Sequence, residues 1–261
     1  MKLSRVLTFA SLLLLLTLSA CHDSGSTKGV SPSTVTEAWP LPPLVAGTWE
    51  YADKQTSRNL LDQLQQGAPS DEIVTARQIT KFRTMPLSFY PGAKLCEGLV
   101  PSSSAGTGIF TFVVLQDSGV VLLNGTSPPI HDLDAKAPLA IDTAKRAEAY
   151  LRFFAAAVYA KNGNFRIVDE SGDLLWARDA SEVDKQLATK YIRPLLLNRG
   201  EDGRWHASAT VQSGSRIGNA VFDIDSNGRI DMSNSWDLAS NLPLRRDAFN
   251  GPLRYELTLY K

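Results

Sequence analysis

Cysteine and histidine are scarce in this 261-residue chain, which holds two of the first and three of the second. Two thiols cannot build a disulfide framework. Histidines at positions 22, 131 and 206 leave little for a multi-histidine centre. Net charge is also missing: 27 basic side chains balance 27 acidic ones. Such a chain has no surplus of cations with which to neutralise phosphates, so no nucleic-acid partner is expected. Beyond residue 20 no segment is apolar for long enough to span a bilayer, and no repeat recurs at solenoid or propeller periods. G-x-S-x-G, H-E-x-x-H and S-x-x-K are absent from the part that follows. What the chain does have is 43% apolar residues and a fair supply of aromatics, enough to exclude wholesale disorder.

The N-terminus carries an address. Lys2 and Arg5 form a short basic region, followed by an apolar stretch from Val6 to Leu18 with five leucines in a row, Leu12 to Leu16. At about 1.5 Å per residue this stretch is too short to cross a hydrocarbon core of ~30 Å, and it reads as an export signal. It ends in Leu18-Ser19-Ala20-Cys21. This resembles the lipobox of bacterial lipoproteins, which implies cleavage after Ala20 and lipidation of Cys21, palmitate included. Loss of residues 1–20 leaves 25 basic and 27 acidic side chains. Lipid chains rather than charge must then hold the protein to the bilayer. His22, not Asp, follows the cysteine. By resemblance to the sorting rule of Gram-negative lipoproteins, this implies the periplasmic face of the outer membrane in a host of that type.

Residues 21–46 are rich in Ser, Thr, Gly and Pro and read as a lipidated cysteine followed by a flexible tether. Residues 47–261 are long enough for one globular domain, with a division into two subdomains near 128–138 left open. Leu60, Leu61 and Leu64 predict a helix over Thr56–Gly67, stopped by Gly67-Ala68-Pro69. Tyr90-Pro91-Gly92-Ala93 fits a type II turn between a strand ending at Phe89 and one containing Leu95 and Leu99. Near-continuous apolar runs at Ile109–Leu115 and Val120–Leu123 flank Asp117-Ser118-Gly119 as a hairpin covered on both faces. Thr143–Ala160 is the clearest helix, capped by Asp142 or Thr143 and ended by Asn162-Gly163. Phe165–Val168 and Leu174–Trp176 read as another hairpin, and Ser181-x-x-Asp184 as the capping box of a further helix.

Register gives a sharper expectation at Asp223–Asp231. A three-residue loop Ser226-Asn227-Gly228 pairs Ile224 with Ile230 and Phe222 with Met232, putting apolar residues on one face, whereas a two-residue loop scrambles the faces. Tyr255, Leu257 and Leu259 alternate as a last strand. Helices set between antiparallel hairpins predict an α+β fold: a curved antiparallel sheet packed by one long amphipathic helix and one or two shorter ones.

Two polar clusters carry candidate chemistry. Asp223, Asp225, Asn227, Gly228 and Asp231 match several positions of an EF-hand calcium loop. Position 12 is Asn234 instead of Glu, however, and the flanks alternate as strands. The hairpin explains the same residues without calcium, although Asp223 and Asp231 then lie opposite one another, a repulsion that a cation would relieve. Ser127, His131, Asp132 and Asp134 offer a nucleophile, a base and carboxylates in a Gly/Pro-rich loop, or ligands for a divalent metal. Cys96, in a strand, reads as packing. The Gly-rich stretch Ser102–Gly108 precedes a strand, so it has no helix N-terminus for a phosphate. Gly47-Thr48-Trp49 resembles the opening motif of lipocalins, which implies a ligand-enclosing barrel, yet a helix is expected where that barrel needs strands. Tyr150, Phe153, Phe154 and Tyr159 on the main helix could floor a pocket, and packing explains them too.

Together these features point to an envelope lipoprotein with a non-catalytic binding or scaffolding domain and an envelope protein as possible partner. A periplasmic hydrolase or metal enzyme built on Ser127, His131 and Asp132, and a carrier of a small apolar ligand, are the alternatives.

Overall fold

In the computed structural model, which describes residues 39–101, 106–116, 119–160 and 163–257, the leucine-spaced helix forms as α1 (Lys54–Gly67). Asp53 caps it by accepting from Thr56 N at 2.7 Å. Pro69 then starts a short helix that the sequence pattern did not suggest, α2 (Ser70–Ala76). A short strand that the sequence pattern did not suggest, β1 (Glu50–Tyr51), is followed by β2 (Lys81–Pro86), β3 (Lys94–Val100), β4 (Gly108–Val114) and β5 (Val120–Leu122), which pair as the expected hairpins. Asp117 and Ser118 of the second turn lie outside the described residues. The turn between β2 and β3 takes the expected form: Ala93 N donates to Tyr90 O at 2.9 Å and Gly92 sits at φ +79°. Its strand ends at Pro86 rather than Phe89, because Phe89 and Tyr90 turn down into the core.

The chain continues through α3 (Pro128–Lys136), α4 (Ala144–Ala157), β6 (Tyr159–Ala160), β7 (Gly163–Val168) and α5 (Glu182–Thr189). It closes with β8 (Leu196–Arg199), β9 (Trp205–Ser213), β10 (Arg216–Ile224), β11 (Ile230–Ala239), β12 (Asp247–Asn250) and β13 (Leu253–Glu256). Thr143 caps α4 and the Ser181–Asp184 capping box starts α5, as expected. Helix α4 stops at Ala157 instead of Ala160: Tyr159 pairs with Asn164 of β7 and its ring packs edge-on against Phe249 at 4.8 Å. The hairpin expected across Glu170-Ser171-Gly172 does not form. Ser171–Asp173 is a 3₁₀ turn instead, and Trp176 bridges to Leu244.

Two antiparallel sheets result among the described residues, in the orders β1-β2-β3-β4-β13-β12, with β5 on β4, and β11-β10-β9-β7-β6, with β8 on β9. The fold is α+β. Both faces of β3 and β4 are covered, as their apolar runs predict. Phe82, Cys96, Phe110 and Phe112 meet Leu60 and Leu64 of α1 on one side. Leu95 and Val113 meet Phe153 and its neighbours on α4 on the other, in a core that extends to Ala209, Val211 and Phe222 of the second sheet. The register at β10–β11 is the one derived from the apolar pattern: Ile224 faces Ile230 and Phe222 faces Met232, with Gly228 at φ +82°. Met232 nonetheless stays exposed, because β11 is the outer strand of its sheet.

The tether expected to run to Ala46 is packed from Trp39 onward. Leu41, Leu44 and Val45 are buried, and what buries them is a knot of charge. Glu97 and Arg83, opposite one another on β3 and β2, form a fully enclosed ion pair. Arg254 of β13 reaches the other Glu97 oxygen at 2.8 Å and Asp247 at 2.8 Å. Burial works against the Arg254 charge, but Glu97 and Asp247 outweigh it and raise its pKa. The N-terminal strap lies on this knot. Leu44 N donates to Glu97 at 2.9 Å, while Arg254, Arg83 and Arg245 donate to the carbonyls of Pro42, Leu41 and Pro40. Trp39 and Trp49 both stack on the Arg83 guanidinium, at 4.0 and 5.3 Å.

Removing Glu97 takes from Arg83 the only carboxylate it pairs with among the described residues and from Arg254 one of two, and leaves the Leu44 amide without its acceptor in the interior. Glu97→Ala is expected to lose about 3–5 kcal/mol, the usual cost of breaking a buried ion pair from one side, measured by urea unfolding against Glu50→Ala on the exposed strand β1.

Candidate functional site

The Ser127–Asp134 cluster lies on helix α3, not in a loop, because Pro128 and Pro129 occupy the first helical turn where a missing N–H costs nothing. His131 Nδ1 faces Asp134 at 3.6 Å rather than the Ser127 hydroxyl, and Asp132 is exposed. The half-buried Asp134 accepts from Tyr90 at 2.5 Å and lies 3.3 Å from the Tyr150 hydroxyl, which itself donates to Gly228 O at 2.6 Å. Burial raises the Asp134 pKa against the pull of both tyrosines. These contacts tie α3, α4, the 87–93 turn and the β10–β11 hairpin into one joint. They bring Ser127, His131 and Asp132 no nearer to a nucleophile–base arrangement.

The candidate calcium residues are likewise spoken for. Asp225 accepts from the backbone of Asn227 and Arg229 and so closes the turn. Asp231 pairs with Arg229 at 3.2 Å. Asp223 does face Asp231 across the ladder, as expected. His206 on β9 stands against this pair of carboxylates, reaching Asp223 at 2.6 Å and Asp202 at 3.3 Å. Among the described residues, no three of His, Cys, Asp and Glu stand together as a metal-holding group. Cys96 is buried and its thiol is pushed up to about 12 by burial, which makes it inert packing. Cys21 lies outside the described residues. Trp49 caps the strap through Nε1–H to Val45 O at 3.0 Å, and the sheets around it close no barrel.

A concave, mostly apolar feature lies elsewhere among the described residues, where α4 crosses the β2–β3 connection. Lys145, Glu148, Ala149, Arg152 and Phe153 recur at helical spacing and form one wall. Met85, Leu87 and Phe89 form the other, and Val45 and Ala46 of the strap close one end. The groove encloses about 320 Å³, at the small end of the range for small-molecule sites. Its floor is apolar and its rim charged. Arg152 is held by Glu148 and Asp169, while Lys145 is exposed and pairs with no carboxylate among the described residues. Past Val45 and Ala46 a smaller cavity of about 50 Å³ opens, lined by Arg152, Ala156, Arg166 and Asp173.

Of the four aromatics singled out on the main helix, Phe153 alone lines this groove. Tyr150 belongs to the Asp134 joint, Phe154 packs against the His131 ring, and Tyr159 is buried on Phe249. Met85, Leu87 and Phe89 carried no signal in the sequence, since they read as strand and turn. Compared with family models, curated proteins and solved structures, the chain matches none of them.

Hydrogen bonds donated by His206 to Asp223 and Asp202 raise its pKa above its ordinary 6.5. The pairing therefore supports the β9–β10 ladder fully below pH 6.5 and is lost as pH rises through the raised pKa. In Asp223→Asn the His206 pKa, followed by imidazole proton NMR, is expected to fall back toward 6.5, with no response to added calcium in either protein.

Proposed function

We propose that this chain is a lipid-anchored protein of the bacterial cell envelope whose folded part binds a ligand rather than transforming one. The observation that carries the binding half is the groove between α4 and the 85–89 turn: an apolar floor of Met85, Leu87, Phe89 and Phe153 under a charged rim. Apolar walls with few polar groups are what small-ligand sites present. The anchoring half rests on Leu18-Ser19-Ala20-Cys21 after a leucine-rich export signal. No helix among the described residues is long and apolar enough to cross a membrane, so attachment in this reading falls to the acyl chains on Cys21. The outer membrane, periplasmic face, is the proposed location in a Gram-negative host, on the strength of His22. A protein of this kind holds or delivers a small apolar molecule at the bilayer, and an envelope protein is the proposed recipient.

Two measurements test the halves separately. Cells fed radiolabelled palmitate are expected to label the wild-type protein and leave Cys21→Ser unlabelled; equal labelling of both rejects the anchor. For the groove, a photoactivatable decyl diazirine applied to membranes is expected to attach within Met85–Phe89 and Lys145–Phe153. Ala149→Trp, which fills the groove from a half-exposed helix position, is expected to abolish that attachment. Attachment scattered elsewhere, or unchanged in Ala149→Trp, rejects the binding site.

A further inference from the structure

Arg166 on β7 is an unusual arginine. Its Nε and Nη2 atoms are closed off from solvent and have no hydrogen-bond partner. A guanidinium left in that state loses its hydration without replacement, one of the costlier arrangements in a protein interior. Its neighbours do not remedy this. Asp247 is nearby but already receives Arg254 at 2.8 Å. Asp173 is nearby too, yet its carboxylate accepts from the backbone amides of Asp169 and Glu170. Arg254 itself repels Arg166, and burial pulls the Arg166 pKa down from its ordinary value. Around it stand the cation Arg254 and the carboxylates Asp247 and Asp173, each carboxylate already engaged elsewhere. The Arg166 side chain lines the cavity of about 50 Å³. That volume is close to what one or two waters occupy in the liquid, at about 30 Å³ each, and so suits a carboxylate.

The cavity is not isolated from the groove. Val45, Ala46 and Arg152 line both, so only the strap residues and Arg152 stand between the apolar floor of Met85, Leu87, Phe89 and Phe153 and the cavity that Arg166 lines. The charged side chains along the way are Lys145, Arg152 and Arg166 with Glu148 and Asp173. Asp169 and Glu148 both hold Arg152, which leaves Lys145 and Arg166 as the cations there without a paired carboxylate among the described residues. We infer that the groove and cavity together take an alkyl monocarboxylate of the free fatty-acid type, its chain on the apolar floor and its carboxylate on Arg166. The inference rests on the proposed binding function and adds the chemistry of the ligand's head. An alcohol of the same length leaves the guanidinium uncompensated, and an amine adds a third interior repulsion beside Arg254. Charge-assisted hydrogen bonds to a buried guanidinium discriminate strongly between these heads.

The test uses the lipidated protein in its membrane and three decyl diazirine probes that differ only at the head: carboxylate, alcohol and amine. The carboxylate probe is expected to attach within the groove, to be competed by decanoate, and to do so at least about tenfold more than the alcohol, with the amine weaker still. This comparison needs no substitution and so does not depend on any variant folding. Arg166→Gln leaves Arg83 and Arg254 balanced by Glu97 and Asp247 and is expected to keep its fold by circular dichroism while the preference for the carboxylate disappears. If the alcohol attaches in the groove as well as the carboxylate does, or if folded Arg166→Gln keeps the preference, the inference is overturned and the groove stands as a site for neutral apolar molecules. If none of the three probes attaches in the groove, the binding function itself fails.

Discussion

A single carboxylate organises this fold. Glu97, without exposure to solvent, accepts from Arg83 on the strand beside it, from Arg254 on a strand that enters the sheet from the far end of the chain, and from the backbone of Leu44 ahead of the first strand. The most distant of them, Arg254, lies 157 positions from Glu97 in sequence. A buried carboxylate is tolerable only when its lone pairs are filled, so the geometry of Glu97 requires all of them to be in place together. The strap, the β2–β3 ladder and the β13 strand are thereby made to fold as one cooperative unit. The wall that closes one end of the groove is a product of the same requirement, because Val45 and Ala46 follow directly on the amide that Glu97 holds.

Local patterns in the sequence carried much of this structure. The α+β class, the helices starting at Thr143 and Ser181, the Gly92 turn and the three-residue loop at Gly228 follow from caps, turn chemistry and period, all of which act between near neighbours. The errors occur where a distant partner decides. Tyr159 leaves the helix pattern because Gly163–Val168 offers it a ladder and Phe249 a surface. Trp176 leaves its expected hairpin because Leu244 pairs with it instead. The segment before Ala46 reads as a tether by composition, and only the arginines of three remote segments make it structure. The candidate site was least legible for the same reason. Lys145, Arg152 and Phe153 share a helix face, but Met85, Leu87 and Phe89 join them through a turn whose side chains swing inward, and Arg166 arrives from another sheet.

The two polar clusters that chemistry would favour from sequence are consumed by architecture. Asp134 joins two helices to two turns through tyrosine hydroxyls, and Asp223 is matched by His206 from the neighbouring strand. In both, a group that looked free in one dimension is satisfied in three. Arg166 presents the reverse. It reads as an ordinary basic residue in a strand, yet two of its guanidinium nitrogens are closed off from solvent without a hydrogen-bond partner, and an unsatisfied buried polar group is the rarer and more informative condition.

The strap also fixes how the molecule bears load. Tension applied to the chain ahead of Trp39 does not peel off a terminal strand one bond at a time. It meets guanidinia from β2, β13 and the segment before β12 that hold consecutive residues, Pro40, Leu41 and Pro42, with Arg83 pinned between two indole rings behind them. Three contacts on consecutive residues load together when the strap is pulled along its length. Because Leu44 and Val45 are the next buried residues inward and Val45 lines the groove, the groove is an early interior feature for a yielding strap to deform.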